Sequence, residues 1–180
     1  MLVIDDAIVL RTWAPDDAPT VMAAYQDPAI RQWNQRSLNE HEAQELIAEW
    51  VARWDRETGA YWAVTRRADG AVLGRIGIRE IVLTEGTGEI SYWTMPDARG
   101  LGMAPRAVGA VSTWAFEVLG LHRLELHHST HNVASCRVAV KAHFELEGTL
   151  RSALLHSDGW HDMHVHARIN PKESEATFAV

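Results

Sequence analysis

The chain has 180 residues, 47% apolar and 23% charged, enough for one domain with a sizeable core and too few for two comfortable ones. Its formal net charge of -7, with only Lys141 and Lys172 as lysines, argues against nucleic-acid binding, which needs a basic face. No apolar run approaches the ~20 residues that span a membrane, and a single cysteine, Cys136, excludes an internal disulfide framework. No membrane partner is expected. The opening residues lack the basic start and long apolar segment of a signal peptide, so the expected compartment is the cytoplasm.

No repeat or linker divides the sequence, which is read as one domain over 1–170 with a C-terminal tail over 171–180. Residues 8–11 read as a first strand. Pro15-Asp16-Asp17 opens a helix running to about Gln26, with acidic residues where the helix dipole favours them. Ser37-Leu38-Asn39-Glu40 has the form of a capping box, and Ala43, Leu46, Ile47, Trp50, Val51 and Trp54 then share one helical face. The period changes to that of strands over 61–65 and 71–78, joined at the hairpin turn Ala68-Asp69-Gly70. A strand over 89–95 follows, then a glycine loop, a helix over 105–119 and its terminal Gly120. A strand over 123–127, a helix over 132–143 and two strands near 144–150 and 161–169 complete the order. This is a mixed α/β (α+β) pattern: antiparallel hairpins first, strand–helix–strand units afterwards.

The loop Arg99-Gly100-Leu101-Gly102-Met103-Ala104 is the most informative segment. A strand that breaks into glycines and then opens a helix is suited to holding phosphate. The glycines allow close backbone approach, and the first helical N–H groups lack internal partners and sit at the positive end of the dipole. Arg99 adds a charge whose fork matches phosphate oxygens.

This loop, the segment Asn132-Val133-Ala134-Ser135 with Val138 and Lys141, the run 143–148 (His-Phe-Glu-Leu-Glu-Gly), and the closing strand His161-Asp162-Met163 to Ile169 resemble the GNAT superfamily of N-acetyltransferases. Within it, they look most like the ribosomal-protein-alanine acetyltransferase branch. The resemblance implies a single domain whose mostly antiparallel central sheet splays at the cofactor strand ending near Met95. It also implies acetyl-coenzyme A as co-substrate and direct attack by an amine in a ternary complex. The amine partner would be a protein N-terminus or a small molecule, and a homodimer is compatible with the family. By resemblance, the backbone of Tyr92, Trp93, Thr94 and Met95 lies along the pantetheine arm. The amides of Gly100, Leu101, Gly102, Met103 and Ala104, with Arg99, hold the pyrophosphate. Asn132 and Lys141 lie toward the cofactor, and Ser135 protonates the departing thiolate.

The sequence departs from the branch at its base. The stretch 151–155 (Arg-Ser-Ala-Leu-Leu) has no carboxylate where some members carry a glutamate. Glu89 is the first substitute, followed by His156, Glu80 and a water chain. That gap keeps a non-catalytic acyl-coenzyme-A-binding module open as an alternative. Residues 30–34, with Trp33, and the helix after them are expected to set acceptor specificity. The histidines raise a further reading, a metal-dependent hydrolase. Strand alternation, however, puts Asp162, His164, His166 and Arg168 on one face and Met163, Val165, Ala167 and Ile169 on the other, as in a half-buried strand. No histidine spacing matches a zinc signature, so no metal is expected, and Cys136 reads as inert packing.

Overall fold

The structure is a computed structural model that describes residues 1–172; most of the expected tail lies outside the described residues. Its core is one eight-stranded sheet in the spatial order β1-β2-β3-β4-β5-β6-β8-β7. The strands are β1 (Leu2–Val3), β2 (Ile8–Arg11), β3 (Gly59–Arg66), β4 (Val72–Val82), β5 (Thr87–Thr94), β6 (Arg123–Ser129), β7 (Glu145–His156) and β8 (Gly159–Ile169). Every neighbouring pair is antiparallel except β5–β6, which is parallel. The mixed, mostly antiparallel sheet expected from the sequence is therefore present.

The parallel contact is short. It pairs Thr87 with Arg123, Gly88 with Leu124 and Glu89 with Glu125, and then stops. Beyond that point β5 stays paired only to β4, and β6 only to β8. The sheet opens between them into a V, with Glu89 at its apex.

Helices cover both faces. On one face α4 (Met103–Glu117) lays Ala107, Val108, Val111 and Ala115 against Ile76, Ile78, Ile90 and Leu124, all buried. α5 (Val133–Lys141) lies beside α4, adding Ala139 to the same core. On the other face α1 (Ala18–Gln26), α2 (Pro28–Asn34) and α3 (Glu40–Asp55) enclose a second cluster that includes Trp13, Val21, Ile47, Trp50 and Trp93. Strand alternation in β5 links the two layers: Ile90 and Tyr92 pack with the first cluster and Trp93 with the second.

Several local expectations shift. The cap of α3 is Asn39, not Ser37: its side chain accepts from Glu42 N at 3.0 Å, and Glu42 Oε2 accepts from Asn39 N at 2.7 Å. The capping box is therefore real but starts two residues later. Ala43, Ile47 and Trp50 are buried on the expected face, but Val51 and Trp54 are about half exposed. Trp54 instead stacks on Trp114 at 5.7 Å, and both rings pack edge-on against Trp62 of β3. The strand β1 and the helix α2 have no counterpart in the sequence reading. α2 is short and starts from Pro28, with Asp27 accepting from Ile30 N at 3.0 Å.

At Gly74, β4 runs close against the backbone of β5. A methyl group there would run into the Trp93 carbonyl oxygen and stand 2.8 Å from Met103 Cε. Gly74→Ala should therefore cost about 1–3 kcal/mol, read as a lower urea midpoint at unchanged slope.

Candidate active site

The V between β5 and β6 is the mouth of a cleft of about 440 Å³. Five expected site residues on or after β5 line it: Glu89, Tyr92, Trp93, Thr94 and Arg99. Asn132 and Ser135, from the start of α5, line the opposite wall. Trp33 of α2 and His156 at the end of β7 close the third side, where they meet edge-on at 5.5 Å.

The start of α5 is set by Asn132, whose side chain accepts from Ser135 N at 3.0 Å. This cap holds Ser135, 9% exposed, one turn from the cleft edge. Its hydroxyl and that of Tyr92 share a hydrogen bond of 2.7 Å across the gap between the parted strands. Burial pushes the Tyr92 phenol up to about 12, against the opposing pull of the bond to Ser135. Both hydroxyls thus remain protonated in the neutral range. One proton closes the pair, and the other can be given to a ligand. The sequence reading had assigned Tyr92 only a backbone role; its partner is 43 residues away, and no local spacing signals the contact.

Glu89 has little exposed surface. Its carboxylate accepts from Arg79 Nη2 at 2.5 Å, and His127 Nδ1 lies 4.0 Å away. His127 is tied in turn to Glu125 at 2.9 Å. Arg79 and His127 come from the strands on either side of Glu89, so its carboxylate is held at the apex of the V from both directions. The other two base candidates separate. Glu80 is exposed on a left-handed backbone (φ 55) at an irregularity in β4 and does not line the cleft. His156 does line it, and burial, reinforced by neighbouring His161, pushes its imidazole down toward the neutral form. Beside it runs a chain that spacing alone did not reveal: Asp158 holds His161 Nε2 at 2.9 Å, and His161 Nδ1 bonds Ser129 Oγ at 2.7 Å.

The glycine loop has the expected backbone. Gly100 (φ 78) and Gly102 (φ 70) take left-handed conformations, and Gly102 is the N-cap of α4 with no side chain to satisfy the first-turn N–H groups. Arg106 reaches back to the carbonyls of Gly102 at 3.2 Å and Leu101 at 3.4 Å. The helix starts at Met103, two residues earlier than the pattern suggested. Pro105 fits its first turn, where a missing N–H costs no internal bond. Met103 turns its side chain into the core, and Leu101 is mostly exposed.

Three expected contacts are placed differently. Arg99 is ion-paired with Asp27, the cap of α2, so its charge is already shared; the Arg99 guanidinium holds the Asp27 carboxyl below its usual range. The Met95 amide bonds the Leu73 carbonyl at 2.9 Å rather than facing the cleft. Lys141 lies outside the cleft, in a shallow depression with Arg106 and Arg168 between α4 and α5.

A sheet parted at one strand, with a glycine-opened helix at the end of that strand, defines an acyl-coenzyme-A-dependent N-acetyltransferase domain. Residues 7–145 match the Acetyltransferase (GNAT) domain family, and the chain belongs to it. It is 26% identical to the uncharacterized N-acetyltransferase YoaA of Bacillus subtilis, over 93% of this chain and 96% of that one. It is 30% identical to the ribosomal-protein-serine acetyltransferase of Escherichia coli, over 54% and 55% of the two chains. The crystal structure of a probable acetyltransferase superposes with a TM-score of 0.87 at 22% identity, covering 95% of this chain and 97% of that one.

Asn132→Ala should remove the cap and cost about 1 kcal/mol of stability, read by thermal unfolding. Asn132→Asp keeps an acceptor at the same position and should recover most of that loss.

Proposed function

We propose that the protein moves the acetyl group of acetyl-coenzyme A to a primary amine, a protein N-terminus or a small-molecule amine, by direct attack in a ternary complex. One observation carries the reading: Glu89 and Tyr92 lie three residues apart on β5, so they project from opposite faces of the strand at the same opening. A base on one side and an acid on the other is what this reaction needs. The neutral amine forms its N–C bond to the thioester carbonyl carbon, the C–S bond breaks, and two protons must move. The amine's proton goes to the Glu89 carboxylate. The thiolate takes a proton from the Tyr92–Ser135 pair.

The donor half rests mostly on backbone. The edge of β5 through Tyr92, Trp93 and Thr94 offers N–H and C=O groups to the pantetheine arm, since among the described residues neither β6 nor any other strand pairs with that edge. The amides of Leu101, Gly102, Met103 and Ala104 face the pyrophosphate at the positive end of α4. Gly100 gives the loop its turn, Arg99 stands on the rim with Asp27, and Asn132 borders the arm. The acceptor approaches from the Trp33–His156 side, where the α2 loop limits its size.

Release of free thiol from acetyl-coenzyme A, measured with a panel of peptide N-termini and polyamines, tests the activity. At least one acceptor should turn over; cofactor binding without thiol release for every acceptor would sink the reading. Glu89→Gln should lower kcat about 10²-fold or more while leaving acetyl-coenzyme A affinity within about twofold. Tyr92→Phe and Ser135→Ala should each lower kcat, and the double variant should fall well short of the product of their separate losses, because the two hydroxyls act as one donor. If His161→Gln abolishes turnover and Glu89→Gln does not, the base is the Ser129–His161–Asp158 chain instead.

A further inference from the structure

The face of β8 that alternation marks as polar is only partly open to solvent: Asp162, His164 and Arg168 are half-buried. His166 is 1% exposed, and its neighbour on β6, His128, is 4% exposed. His164 pairs directly with His128 across β6–β8, and His166 follows two residues on, so all three rings share the face that carries α5. Cys136 of α5 comes down among them: one donor atom from each of His128, Cys136, His164 and His166 lies within 4.8 Å of every other.

The hydrogen bonds in this cluster conflict unless something joins the rings. His128 Nδ1 lies 2.8 Å from the Ser129 carbonyl, and His166 Nδ1 lies 3.3 Å from the Phe144 carbonyl. A carbonyl oxygen only accepts, so each Nδ1 carries its proton. In the neutral ring each Nε2 then presents a lone pair. Those two Nε2 atoms face each other at 3.2 Å. Two acceptors at that distance repel. His164 Nδ1 is also buried, with no hydrogen-bond partner among the described residues. Imidazoles whose Nδ1–H is held by a backbone carbonyl and whose Nε2 is turned inward have the arrangement of histidines around a metal.

We propose that His128, Cys136, His164 and His166 form a structural zinc site that fastens α5 to β6 and β8. The donor set has three imidazoles and one thiol, with no carboxylate, which suits a borderline-soft ion such as Zn²⁺ and not Mg²⁺ or Ca²⁺. Two nitrogens bound to a tetrahedral zinc stand about 3.3 Å apart, close to the separation of the facing Nε2 atoms. Binding would need only modest closure of the remaining sides. Cys136 would bind as thiolate and release its proton to solvent. The neighbouring group of His131, Asp158 and His161 has no such need, since His161 already spends one nitrogen on Asp158 and the other on Ser129.

The site has a consequence for the cleft. Cys136 directly follows Ser135, and the first turn of α5 presents the Ser135 hydroxyl to Tyr92. A metal that holds Cys136 therefore also holds the hydroxyl pair in register.

Chelator-treated full-length protein is titrated with Zn²⁺ alone and, separately, with Co²⁺. Expected are one equivalent of zinc bound, a rise of roughly 5–10 °C in the unfolding midpoint at saturating zinc, and a thiolate-to-cobalt absorption band. Cys136→Ser, a near-isosteric change, should abolish that band and weaken zinc at least tenfold while circular dichroism stays unchanged. His164→Ala should weaken zinc similarly, and His131→Ala should leave it untouched. Absence of saturable zinc uptake overturns the proposal. So does uptake that survives both Cys136→Ser and His164→Ala, or that is lost with His131→Ala. These readouts do not depend on turnover, so they stand apart from the proposed acetyl transfer.

Discussion

The parting of β5 from β6 after Glu89 and Glu125 is the constraint on which the rest of the molecule depends. Two strands that begin paired leave facing edges of backbone N–H and C=O groups, and the cost is the ladder hydrogen bonds they forgo. The separation is kept open from both faces. On one side α5 spans the gap through the Ser135–Tyr92 hydrogen bond. On the other, Trp93 is packed at 6.0 Å from Trp13 and 6.4 Å from Tyr25, so β5 cannot swing back toward β6 without opening an aromatic core. Where the strands do pair, Gly88 leaves β5 little room: a Cβ there would stand 2.6 Å from Ile78 Cγ2 of β4 and 3.6 Å from Leu124 Cδ2 of β6.

A buried guanidinium supports the same strand from behind. Arg75 on β4 pairs with Trp93 in register, donates to Ser91 Oγ at 2.9 Å, and is held between the rings of Trp50 at 5.0 Å and Tyr61 at 5.3 Å. Burial draws its pKa down from the usual arginine range. The aromatic faces supply part of the electrostatic compensation that water would otherwise give. The cation thus ties β3, β4, β5 and α3 together directly beneath the cleft. Such a group favours one arrangement of its neighbours, because any shift would leave a charge buried without its rings.

The proposed donor half of the site rests on local features of the sequence, and the proposed acceptor half does not, for a physical reason. A backbone cradle is written locally: Gly100, Gly102 and the helix start all fall within a few residues. The Asn132 cap and Ser135 are also three residues apart, so their relation was visible too. The Tyr92–Ser135 bond, the pairing of Glu89 with Glu125 at the apex and the placement of Trp33 against His156 join distant segments of the chain, through a strand order that no local pattern encodes. Arg99 has the spacing expected of a phosphate partner, and the fold adds what spacing could not show, an ion pair with Asp27, 72 residues earlier. On β8, alternation sorted the residues onto two faces of a half-buried strand, and the fold adds that α5 packs over the histidine face, burying His166 and leaving His164 half-buried.

That distinction also bears on how the two halves of the site can change. A backbone cradle tolerates substitution at most of its positions as long as the glycines that need positive φ remain, so it keeps its ligand while the surrounding side chains drift. The acceptor side is assembled from α2, β5, β7 and β8 and consists almost wholly of side chains: Trp33, Glu89, His156 and Met163. Each comes from a different element. In the proposed reaction, a fold built this way holds the donor fixed and leaves the choice of amine to a few side chains around one opening. The carboxylate missing from 151–155 fits that proposal: β7 offers no carboxylate there, while β5 places Glu89 at the opening.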